Sequence, residues 1–93
     1  MNEDHFVQYV RQAKRLREDE NQKLYWSGYL WGLRRHYFGE SFGTPEDHQK
    51  LLNDYRSDSD HGRQSIAKGY EKGFQGEAPT EQHSEDLAMA NCH

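Results

Sequence analysis

One cysteine, two prolines and no long apolar run set the first limits on this chain. A single thiol, Cys92, cannot close an internal disulfide. Nothing approaches the 18 or more consecutive apolar residues of a membrane-spanning helix. The N-terminal stretch carries no secretory h-region, so the expectation is a cytoplasmic protein. Apolar residues are also scarce, at 32%, and mean hydropathy is −1.30. That composition leans toward disorder. A net charge of only −4 and an aromatic content of 13% lean the other way. The balance is a small core rich in Tyr, Trp and Phe. With 93 residues it forms one domain, expected over residues 1–78, with a polar, mobile tail over 79–93.

Missing motifs narrow the chemistry. No C-x-x-C is present, and the six histidines never pair at helical ligand spacing, so no metal is expected. "DSDHG" at 58–62 resembles the start of a calcium loop, but its twelfth position is Gly69 where an acid is required. "FGESFG" lacks the lysine and preceding strand of a phosphate loop. Cys92 lies in the polar tail, where a nucleophile is not held in place. The reading is therefore a protein that is not an enzyme and has no cofactor.

What is present is helical. Phe6, Val10, Ala13 and Leu16 recur at steps of three or four over residues 2–18, with Asn2 or Asp4 as cap. Asp19 and Gln22 have capping-box spacing, which predicts a break near 19–21; one continuous helix is the alternative. The second helix, residues 22–38, is central. Leu24, Tyr25, Gly28, Trp31 and Gly32 share one arc, Trp26, Leu30, Leu33 and Tyr37 the opposite one, and Lys23, Ser27 and Arg34 a narrow strip between. Gly39 suits a left-handed C-cap. Thr44, Pro45, Glu46 and Asp47 then read as N-cap, N1 proline and two acids at the positive end of a third helix ending near Arg56. "SDSD" at 57–60 makes a turn that can cap the fourth helix, which Gly76 and Pro79 close. A short fifth helix over residues 85–90 is an alternative to a mobile tail. The fold class is all-α, a small bundle of about four helices.

Gly28 and Gly32 sit four apart among large rings, and "GYEKGFQGE" repeats the device at Gly69 and Gly73. Interior glycine costs a helix about 1 kcal/mol relative to alanine. Paired glycines make a flat notch that lets backbones approach or receives a ring such as Trp31 or Tyr70. Leucine at Gly32 is then expected to harm the fold by bulk, and alanine to relieve a propensity cost.

Charge is uneven. Residues 21–40 carry Lys23, Arg34 and Arg35 against Glu40; residues 41–60 carry Glu46, Asp47, Asp54, Asp58 and Asp60 against Lys50 and Arg56. Arg34 and Arg35 among Trp26, Trp31 and Tyr37 have the composition of a partner-contact strip, for a protein or for nucleic acid. Overall acidity weighs against direct nucleic-acid binding.

"GYLWGLRRHYFGESFGTPEDH" followed by "GYEKGF" resembles small uncharacterised proteobacterial proteins carried on phages, plasmids and integrative elements. These share a G-Y-x-x-G-L-R-R stretch, a G-E-x-F-G-T loop and a later G-Y-x-x-G. The likeness covers about residues 25–76. It implies an accessory gene of a mobile element, among which anti-restriction and anti-CRISPR inhibitors are frequent. Such inhibitors are commonly small, acidic and non-enzymatic, and occlude a nucleic-acid site by stoichiometric binding to a defence complex. The acidic stretch 46–60 suits that role. The runner-up is a nucleic-acid-associated accessory protein using Arg34 and Arg35; a homodimer closing over exposed aromatics is the third reading.

Overall fold

The computed structural model describes residues 1–79. Within them the chain forms α1 (Glu3–Leu16), α2 (Lys23–Phe38), α3 (Pro45–Gln49) and α4 (His61–Phe74), with no strand. Single 3₁₀ turns at Glu20–Gln22 and Gly39–Ser41 enter and leave α2, and α3 continues as a π-helical turn over Lys50–Asp54. The expected tail and short helix fall on residues 80–93, outside the described residues, although Pro79, counted with that tail, is buried. No helix among the described residues is long and apolar enough to cross a membrane.

Each boundary has a local cause. Asn2 Oδ1 accepts from the His5 N–H at 2.8 Å and starts α1. The break expected near 19–21 is present: Asp19 Oδ1 accepts from the Asn21 N–H at 3.0 Å. Gln22 Oε1 in turn accepts from the Trp26 indole N–H at 2.9 Å. Gly39 ends α2 at φ +71°, ψ −149°. The positive φ was anticipated, but the pair lies in the glycine-only extended region rather than the left-handed helical well. Thr44 Oγ1 accepts from the Asp47 N–H at 3.1 Å, with Pro45 at N1. Asp60 Oδ2 does the same for Arg63 at the start of α4.

The notches of α2 and α4 face each other. A Cβ on Gly32 would stand 2.7 Å from the Phe74 amide nitrogen, and one on Gly73 2.6 Å from that of Leu33. One on Gly28 would overlap the Ile66 carbonyl, and one on Gly69 the Tyr25 carbonyl. No ring fills either notch; backbone meets backbone, the arrangement in which Cα–H···O contacts recur between helices. Alanine at Gly32 is therefore excluded along with leucine, correcting the expectation from propensity. Moving up α2 from Gly28 to Gly32 moves the contact up α4 from Ile66 to Tyr70, so the helices run parallel. The contacts are reciprocal under one offset (28 to 69, 32 to 73), which makes the duplicated text a pseudo-two-fold pair.

The rest wraps this pair. α1 packs antiparallel on the opposite face of α2, where Ala13, Trp26, Leu30 and Leu33 are buried with Phe6, Val10 and Leu16 beside them. α3 and its π turn run back along the other flank, burying Leu51. Tyr29 and Tyr70 fill the space around the glycines, each about 1% exposed.

Candidate functional site

α2 presents three flanks, and its neighbours cover only two. Trp26, Leu30, Leu33 and Tyr37 meet α1; Tyr25, Gly28, Tyr29 and Gly32 meet α4. The third flank holds Leu24, Trp31 and Phe38, seven residues apart, at 47%, 41% and 50% exposure. Their spacing keeps them on one line of a helix. Leu24 and Trp31 were grouped in sequence with the α4-facing arc. The glycine contact keeps the α4 footprint narrow: Leu24 meets it at Gly62, Trp31 faces Ile66 across a cavity, and both side chains remain exposed.

Beside Trp31 lies a cavity of about 250 Å³ between α2, the π turn and α4. Gly28, Leu51 and Ile66 line it with the rings of Trp31 and Tyr55; Asp47 and Lys50 stand on the α3 side. Residues 47, 51 and 55 stay in line because the wider π turn cancels the drift that α-helical steps of four accumulate. At the far end of α2 the aromatic line continues. Phe6 stacks on Tyr37 at 4.2 Å and meets Phe38 edge-on at 5.4 Å, and Phe42 lies 6.5 Å from Trp31.

Several proposed contact residues are structural instead. Arg35 is only 9% exposed, and its Nη1 donates to the Phe42 carbonyl at 2.7 Å. It fastens the 39–44 loop, so Arg34 and Arg35 form no shared surface strip. Trp26 is 2% exposed and belongs to the core. Arg34 is half-buried and, among the described residues, makes no ion pair. Tyr37 is half-buried against Phe6.

The acidic stretch is likewise not one face. Asp58 Oδ1 accepts from the Asp60 N–H at 2.8 Å, and Oδ2 pairs with Arg63 at 3.0 Å. Those two bonds, the backbone one first, hold its carboxyl below the usual range. Asp60 caps α4. Asp47 lines the cavity, while Glu46 and Asp54 are exposed.

A second cluster, unanticipated in sequence, lies under α3. His48 Nδ1 and the Tyr70 hydroxyl are 2.6 Å apart, and the imidazole packs on Phe74 at 4.7 Å. Burial, then the positive charge of Arg35, lowers the His48 pKa below its ordinary 6.5. Burial pushes the Tyr70 phenol up. The Tyr29 hydroxyl donates to the Glu77 carbonyl at 2.6 Å, and its phenol is held well above the ordinary range, chiefly by burial. His36 Nδ1–H donates to the Phe74 carbonyl at 2.8 Å, closing α4. His36 is exposed and His48 half-buried, but each of these groups is internally partnered. Their bonds join helices to one another.

No three His, Cys, Asp or Glu side chains among the described residues converge on a metal position. The exposed stripe itself was readable in sequence, as large apolar residues exactly seven apart, but it was hidden by the stronger two-arc pattern around it. The chain matches no protein-family model, no curated protein and no solved structure.

Proposed function

We propose that this chain is a cytoplasmic, non-enzymatic accessory protein of a mobile genetic element that binds a host defence complex and inhibits it by stoichiometric occlusion, in the manner of anti-CRISPR or anti-restriction inhibitors. The observation that carries the binding half is the exposed line of Leu24, Trp31 and Phe38 beside an open apolar cavity. Large apolar side chains concentrated on one flank of a small polar domain mark an interaction surface. Aromatic residues and arginine supply most of the energy in such surfaces. The mobile-element half rests on the resemblance of residues 25–76. Contact runs through Trp31, Phe38 and Arg34, since Arg35 and Asp58 are committed internally.

The test is phage plating. Expression in hosts carrying an active CRISPR or restriction system is expected to raise the plating of a targeted phage by orders of magnitude. Trp31→Ala with Phe38→Ala is expected to abolish that protection while leaving the helical circular dichroism intact. Unchanged plating in hosts of both defence types overturns the inhibitor reading.

A further inference from the structure

We infer that the α2 stripe and its cavity receive an acidic amphipathic α-helix supplied by the partner. This rests on the protein-binding reading and specifies the chemistry of what is bound.

The spacing selects a helix. Leu24, Trp31 and Phe38 lie along residues 24–38, a line of about 21 Å at 1.5 Å per residue. Apolar side chains at intervals of seven are met by another helix whose own apolar residues repeat at three and four. An added strand needs an open sheet edge, and the described residues contain no strand. Ser27 lies between Leu24 and Trp31 on the same flank, and its small side chain leaves room for a close approach there.

The cavity selects an anchor. About 250 Å³ falls below the roughly 300–1,000 Å³ of small-molecule sites. Its lining is apolar on three elements and aromatic at Trp31 and Tyr55. It suits one large apolar side chain projecting from the bound helix.

The charges select the sign. Arg34 flanks the stripe, one turn from Trp31 and one from Phe38 on the strip it shares with Ser27, and Lys50 stands at the cavity. Neither makes an ion pair among the described residues. Asp47 is the one acid at the cavity, and it sits in the first turn of α3, where the helix terminus offsets its charge. A bound helix carrying carboxylates beside its apolar line satisfies both cations.

Three synthetic peptides of three heptads test this: one with a single leucine line flanked by Glu, a twin with Lys for Glu, and a scramble of the first. Isothermal titration and Trp fluorescence are expected to show one-to-one binding of the Glu peptide at least tenfold tighter than either control. Trp31→Ala should weaken it at least tenfold. Arg34→Glu should reverse the order of the Glu and Lys peptides, a swap that loss of folding cannot produce. Equal binding of all three peptides, or of none, overturns the inference. So does concentration-dependent dimerisation of the parent that Trp31→Ala abolishes, which shows a second copy on the stripe. If phage protection holds and no peptide binds, the inhibitor reading stands and the helical ligand falls.

Discussion

Gly73 lies so close to Leu33 that a Cβ on the glycine would stand 2.6 Å from the leucine amide nitrogen. Leu33 is backbone-bonded within α2 and cannot retreat without moving the whole helix. The same holds for Gly32 against Phe74, at 2.7 Å. Gly32→Ala and Gly73→Ala are each expected to destabilise the domain by about 3 kcal/mol, at or beyond the upper end of the usual overpacking range. An exposed interior glycine changed to alanine would instead gain about 1 kcal/mol. Gly62 is the control: a Cβ there meets no backbone, only side-chain atoms, the flexible end of Leu24 at 3.0 Å and Asp60 Oδ2 at 3.3 Å. Urea titration of the three variants checks the order, and a stable Gly73→Ala variant refutes the close approach.

The contrast between caps and notches shows what the sequence could disclose. Thr44, Pro45 and Asp60 act on amide groups within three residues, so their text carries their role. The glycines are also visible as text, but which faces which depends on docking two helices across 41 residues of chain (28 to 69). Arg35 misled for a related reason. Neighbouring arginines on a helix point 100° apart, so Arg34 and Arg35 have different surroundings despite identical chemistry. His48 gave no signal at all. Its partners Tyr70 and Phe74 belong to α4, and no local spacing links them.

Thr44→Ala is expected to cost about 0.5–2 kcal/mol through loss of the Oγ1 bond to the Asp47 N–H. α3 is only five residues long before its π turn, so little else holds its first turn. Thr44→Ser, which keeps the acceptor oxygen, should recover most of the loss. Denaturation midpoints of both variants decide the matter.

His48 makes stability fall in mild acid. Its folded pKa lies below the ordinary 6.5, so the unfolded chain takes up the proton first as pH drops. The contribution is complete above about pH 6.5 and is lost as pH falls through the folded value. With His48 neutral as the Nε2–H tautomer, Tyr70 donates its hydroxyl proton to Nδ1; protonation removes that acceptor and places a second cation near Arg35. Urea midpoints of the parent and of His48→Gln between pH 8 and pH 5 should therefore converge in acid. A constant difference across that range overturns the assignment.

Arg34 and Arg35 should separate cleanly when changed one at a time. Arg35 is buried, and its Nη1 bond to the Phe42 carbonyl fastens the loop that leads into α3. A hydrogen bond to a charged group contributes about 1.5–3 kcal/mol, so Arg35→Met should lower stability by roughly that amount. It should also release His48 from a neighbouring positive charge and raise the imidazole pKa. Arg34 makes no ion pair among the described residues, so Arg34→Met should stay within about 0.5 kcal/mol of the parent. Chemical denaturation and histidine titration by NMR read both effects. Were Arg35→Met as stable as the parent, with the His48 resonance unmoved, the arginine would be free to serve a partner after all, and the two-arginine strip would return as a contact surface.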